Sequence, residues 1–160
     1  MDDQFKDLSQ QEIDLMINTP VLITILIAGA DNDIDPDEQK WAKKLTTYRQ
    51  FTEKPILQEY YKVVSENFES NLEKFVVYIN SFPQDAKERN PHIAQELEKL
   101  NDILAKLDEE FSSSFYESIK SFAKHIAEAS GGVLGFGSIS PEEKAWVDLS
   151  MIKNPVVVSN

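Results

Sequence analysis

Five carboxylates crowd one short stretch of this chain: Asp31, Asp33, Asp35, Asp37 and Glu38 lie within eight residues. Carboxylates packed this densely repel one another, and a hard cation relieves the repulsion. Oxygen is the only ligand type on offer, which suits Ca²⁺ or Mg²⁺ rather than zinc. The chain has no cysteine, so disulfides, thiolate metal sites and cysteine nucleophiles are excluded.

The spacing Asp31-x-Asp33-x-Asp35 imitates the opening of an EF-hand loop. The imitation then fails, because Pro36 stands where that loop needs glycine and Ala42 where it needs a bidentate glutamate. A cation here would be held by fewer protein oxygens, with water completing its shell. The same residues also suit a helix start: Asp35 as N-cap, Pro36 at the first helical position and Glu38 as the reciprocal partner of a capping box. Both readings stand on sequence grounds, one with a ligand and one without.

The signature is written twice. Ile34, Pro36, Glu38 and Trp41 recur at a constant offset as Ile139, Pro141, Glu143 and Trp146. Each copy follows an apolar segment with a small-residue end, Ile27-Ala28-Gly29-Ala30 and Ile126-Ala127-Glu128-Ala129. Self-similarity of this kind suggests an internal duplication. The second copy lacks the aspartates; it has Ser138 and Ser140, with Glu142 and Glu143 as a secondary acidic turn. In both copies the isoleucine can act as a hydrophobic staple, and the tryptophan is expected to reach the core one turn later.

The stretch Ala28-Gly29-Ala30-Asp31-Asn32-Asp33-Ile34-Asp35, followed by Pro36-Asp37-Glu38, resembles the tellurite-resistance TerB-like family. In that family a small-Ala-Asp-Gly-x-Ile/Val-x-x-x-Glu turn joins two helices of an all-helical fold. The resemblance is strongest over 21–45, with an echo over 126–149. It implies an acidic, non-enzymatic domain whose turns are implicated in cation binding, in a stress-resistance or transport system. Asp31, Asp33 and Glu38 fall on the family's acidic turn, and Asp35 lies between them. Asn32 replaces the usual glycine, a tolerable exchange in a left-handed turn.

The elements that must position these residues read as helices. Ser9 and Glu12 form a capping box, Thr19-Pro20 restarts the chain, and Val21 to Ala30 is apolar on nearly every face, as in a buried bundle helix. Further helices are expected from Pro36, from Pro55 to Val64, and from Leu72 to Phe82. One more should start at Asn90-Pro91 with Ile93, Leu97, Leu100, Leu104 and Leu107 on one face. A seventh carries Phe111, Phe115, Ile119, Phe122 and Ile126, and an eighth runs from Ser140 through Trp146 and Leu149. The fold class is all-α: a single TerB-like helical domain, 1–160, of about eight helices with two related helix–loop–helix units. The first half spans 5–83, the second 84–153, and an extended tail 154–160. A chain of this length buries roughly 70% of its unfolded surface and needs no staple.

Other constellations point to less. His92 and His125 are far apart and read as surface residues, and Ser112-Ser113-Ser114 reads as a helix start rather than a nucleophile site. The glycine-rich stretch Gly131 to Gly137 lacks the Gly-Lys-Ser/Thr ending of a phosphate loop. Its apolar residues Val133, Leu134 and Phe136 either fold onto the bundle or contact a partner. The net charge of −12 repels nucleic acid and suits cations or a basic partner. The acidic N-terminus and an apolar run only about half the length of a membrane span read as cytoplasmic, without membrane insertion.

The expected function is a non-enzymatic TerB-like domain that binds Ca²⁺ or Mg²⁺ weakly or docks a protein partner. The alternative is a pure interaction module without ligand; an enzyme of unknown class stands a distant third. Incomplete coordination predicts a Kd on the order of 10⁻⁴–10⁻³ M. Millimolar Ca²⁺ should therefore raise the melting temperature, and Asp31→Asn with Asp33→Asn should abolish the rise. An equal rise in wild type and double variant would mean general screening of the net charge, with the turn serving only as a cap.

Overall fold

The computed structural model describes residues 3–28, 36–79, 86–132 and 146–156. Helices α1 (Gln10–Ala28), α2 (Pro36–Thr52), α3 (Pro55–Ile79), α4 (Ala86–Glu98), the one-turn α5 (Leu100–Leu104) and α6 (Glu109–Gly132) follow in order, with no strand among the described residues. The fold is all-helical, and the described residues form five long helices and one short one where about eight were expected for the chain. Its buried side chains form one cluster from Phe5 to Ile152, so the described residues share a single core.

The difference in count has a physical cause. The two helices expected on either side of Pro20 are one 19-residue helix with Pro20 inside it. A proline has no N–H, so the Met16 carbonyl four residues back loses its helical partner. The Tyr60 hydroxyl of α3 replaces it, donating to the Met16 carbonyl at 2.7 Å. Every residue from Thr19 to Ala28 is buried, and α1 packs against each of the other five helices. Its two buried threonines are satisfied within the helix, Thr19 on the Leu15 carbonyl at 2.7 Å and Thr24 on the Pro20 carbonyl at 2.8 Å. Because α1 is continuous through Pro20, it is long and apolar enough to cross a membrane by length and composition, contrary to the short apolar run. More than half of that apolar window, 61%, is buried inside the bundle, as befits a core helix.

The helices expected at Pro55 and Leu72 likewise merge into the 25-residue α3, which buries Leu57, Tyr60, Tyr61, Val64, Phe68 and Leu72 at helical spacing. Asn90-Pro91 does not start a helix, since α4 begins at Ala86 and runs through Pro91. Asn90 is buried instead, and its Nδ2 donates to the Leu26 carbonyl at 3.3 Å. It caps the last turn of α1, where helical carbonyls lack partners. The face Ile93, Leu97, Leu100, Leu104 is buried as its spacing implies, with a break at Lys99. Ser112 lies inside α6 and donates to the Leu104 carbonyl at 2.7 Å.

Other local signals hold. Ser9 and Glu12 form the capping box, Ser9 N donating to Glu12 Oε2 at 2.8 Å and Glu12 N to Ser9 Oγ at 3.2 Å. Lys106 and the Ser9 N–H together lower the Glu12 pKa. Phe111, Phe115, Ile119, Phe122 and Ile126 are all buried. The Tyr60 ring meets Tyr61 at 5.1 Å, Phe115 at 5.4 Å and Phe111 at 6.4 Å, edge to face in each case.

Of the eighth helix, the described part is Trp146 and Val147, after which the chain turns. Leu149 sits at φ 46, a conformation that costs a non-glycine residue roughly 1–2 kcal/mol. Its side chain is wholly buried, which offsets a cost of that size. Asn101 clamps this segment: Nδ2 donates to the Met151 carbonyl at 2.9 Å and Oδ1 accepts from Lys153 N at 2.8 Å. Residues 155 and 156 form a turn rather than an extended tail, and 157–160 lie outside the described residues.

The Tyr60–Met16 bond should be measurable as a coupling to Pro20. Tyr60→Phe leaves a buried carbonyl without its partner and should cost about 1–3 kcal/mol in urea unfolding. In a Pro20→Ala background the alanine N–H can take that carbonyl, and the cost of Tyr60→Phe should fall by at least about 0.5 kcal/mol. Equal costs in the two backgrounds would show that the hydroxyl does not replace the helical bond.

Candidate functional site

Of the carboxylates singled out in the sequence, Asp31, Asp33 and Asp35 lie outside the described residues. So do Glu142, Glu143, Val133, Leu134 and Phe136. Asp37 and Glu38 stand in the first turn of α2, which begins at Pro36 as its sequence implies. Glu38 is half-buried and engaged with a neighbour. Among the described residues no group of three or more His, Cys, Asp or Glu side chains is placed to hold a metal. His92 and His125 are both exposed.

The two tryptophans do not share an environment. Trp146 is half-buried against the core, whereas Trp41 is 42% exposed and does not reach it. The buried face of α2 is Ala42, Leu45, Thr46 and Arg49. Trp41 lies just off that face, so the tryptophan expected to reach the core one turn into α2 is turned outward.

Arg49 explains the rotation. Its guanidinium is 5% exposed and reaches into α6. Nη1 donates to Glu53 Oε1 at 3.0 Å, the Ser118 carbonyl at 2.9 Å and Ser118 Oγ at 3.0 Å, while Nη2 donates to Ser121 Oγ at 3.1 Å. The guanidinium also lies over the Tyr61 and Phe122 rings, 5.7 and 5.6 Å from their centroids. Ser118 Oγ donates onward to Glu53 Oε1 at 2.9 Å and pairs with the Tyr61 hydroxyl. Burial raises the Tyr61 pKa, and Arg49 and the Ser118 hydrogen bond partly offset the rise. The network joins α2, α3 and α6 through a buried charge whose two terminal nitrogens are both hydrogen-bonded. A serine with an acid, a tyrosine and an arginine looks like a reactive set, but Arg49, Tyr61 and Ser118 are all buried, so the arrangement fastens helices together. Nothing in the local sequence separates Arg49 from a surface arginine; its partners Ser118 and Ser121 are 69 and 72 residues away.

With Arg49 held inside, the opposite side of α2 faces outward. Trp41, Lys44, Tyr48 and Phe51 form one exposed stripe, the aromatic members 42%, 65% and 73% accessible. Lys40 and Lys44 flank them, exposed and without an ion pair among the described residues. The helix carries four basic residues, Lys40, Lys43, Lys44 and Arg49, against Asp37 and Glu38, in a chain whose net charge is −12. Beside the stripe, a cleft of about 620 Å³ runs between α2 and α3, with Phe68 and Leu72 among its lining, Lys40 and Lys43 from one helix and Glu69 and Glu73 from the other. Comparison with known proteins gives no match: no family model, no curated protein and no solved structure is similar to the chain.

Arg49→Leu should destabilise the domain by about 2–4 kcal/mol, below or within the range for a broken buried pair because Glu53 is 20% exposed. Lys44→Leu, on the exposed side of the same helix, should change stability by less than about 0.5 kcal/mol. Similar effects from the two changes, measured by urea unfolding, would contradict the assigned rotation of α2.

Proposed function

We infer that this chain is a non-catalytic, TerB-like helical domain that docks a protein partner, in a stress-resistance or transport system, through the outward face of α2. The observation that carries the reading is the stripe Trp41, Tyr48 and Phe51 standing in solvent beside two exposed lysines. Exposed aromatic side chains in register on one helix are the residue types that dominate binding energy at protein interfaces, and they lose little entropy on binding. The lysines select the partner's chemistry. An acidic amphipathic segment would seat its apolar side on the three rings and set its carboxylates against Lys40 and Lys44. The resemblance to TerB-like domains supports a non-enzymatic role. Cation binding at the acidic turn rests on the sequence of that turn alone, so docking through α2 does not depend on it.

A photo-crosslinking residue at Tyr48, introduced in cells, should capture an acidic partner, and the purified pair should form a complex weakened by salt. Trp41→Ala and Phe51→Ala should each weaken it roughly thirtyfold, the loss expected of interface hot spots. Lys40→Glu with Lys44→Glu should weaken it as well. The four changes lie on an exposed face and should leave the circular dichroism spectrum unchanged. Affinity indifferent to all four changes, or capture of only a second copy of this chain, would overturn the reading.

A further inference from the structure

A second cleft, of about 460 Å³, opens between the first half of α1 and the second half of α3. Its size falls within the range of about 300–1,000 Å³ usual for small-molecule sites. Asp14, Ile17 and Asn18 project from α1 at helical spacing, and Asn67, Asn71, Lys74 and Phe75 from α3. Ile17 and Phe75 are half-buried and give the cleft an apolar part.

The polar groups here are under-used. Asn18 Oδ1 is buried without a hydrogen-bond partner, a state that costs a folded protein roughly 1–3 kcal/mol. Asn71 makes no hydrogen bond and Lys74 no ion pair among the described residues. Asn67 commits only its Nδ2, to the Val63 carbonyl, and Asp14 accepts one bond from Gln10. An anion and a cation thus line the same cleft from different helices, unpaired with each other, with three carboxamides beside them. A neutral sugar would leave both charges unanswered, and a simple anion or cation would answer one. A zwitterion answers both.

We propose that this cleft binds a free α-amino acid with a small polar side chain. The ammonium group lies toward Asp14 and the carboxylate toward Lys74. Asn18, whose Oδ1 is shut away from solvent, meets the ligand carboxylate through its Nδ2 at the half-exposed wall of the cleft, and Asn71 pairs with the ligand side chain. The site is separate from the α2 face and does not depend on the docking reading. Asn18 is then a residue kept at a cost to stability for the sake of binding.

The test is calorimetric titration and thermal unfolding of the full chain with L-serine, L-asparagine and L-glutamine at millimolar concentration. At least one should bind and raise Tm. N-acetyl-L-glutamine, which lacks the ammonium, and D-glucose, which lacks both charges, should not. Asp14→Asn and Lys74→Gln should each weaken binding at least about tenfold, while Lys62→Gln, exposed on the same helix, should not. Asn18→Leu is near-isosteric, so it should raise the Tm of the unliganded protein while removing the binding, a combination that a purely structural asparagine would not give. The proposal is overturned if none of the three amino acids binds, if the uncharged or acetylated controls bind as well, if the charge variants bind normally, or if Asn18→Leu lowers the unliganded Tm.

Discussion

An apolar helix buried from Thr19 to Ala28 cannot leave a backbone carbonyl unpaired, yet α1 contains a proline that unpairs one. The bond from the Tyr60 hydroxyl to the Met16 carbonyl resolves this conflict, and much of the architecture follows from it. It brings α3 across the middle of α1 at one defined height. Once Tyr60 is there, its ring becomes the centre of an edge-to-face cluster with Tyr61, Phe111 and Phe115, which places α6. Burial raises the Tyr60 pKa well above that of a free phenol, so the hydroxyl remains a donor through the neutral range. The cleft at Asn18 lies between these same two helices.

Arg49 is the second polar tie. Hydrogen bonds to Ser118, Ser121 and Glu53 hold α2 in one rotation about its own axis. Hydrophobicity alone would favour turning Trp41 inward, because it is the largest side chain on the helix and lies just off the buried face. The satisfied guanidinium makes that rotation unfavourable, since turning Arg49 outward would strand the Ser118 and Glu53 groups inside. The aromatic face is therefore exposed as a consequence of the core, and its lysines give it a charge opposite to that of the chain as a whole. A mean over all residues conceals this, and a net charge of −12 describes the surface elsewhere better than it describes α2.

Local grammar was readable where the partners are local. The Ser9–Glu12 capping box, Pro36 at the start of α2, and the apolar faces of α4 and α6 all involve residues within a few turns of each other. Pro20 and Asn90-Pro91 misled because a proline reads as punctuation when only its neighbours are considered. Met16 finds its donor 44 residues away, and Asn90 caps a carbonyl 64 residues away. The cleft at Asn18 was equally hidden, since Asp14 and Lys74 are ordinary charged surface positions until α1 and α3 are side by side.

The types and spacing of the residues by themselves determined an all-helical chain without disulfides, its helix-capping devices and most of the stripes that form its core. Those properties depend on backbone propensity and on periodicity, which act over a single turn or two. Only the tertiary structure decided that Pro20 stays inside a helix, that Arg49 is buried while Trp41 is not, and that α2 shows an aromatic, basic face. The energies that settle those choices come from desolvated polar groups, and a desolvated group is satisfied or stranded according to what distant segments bring to it.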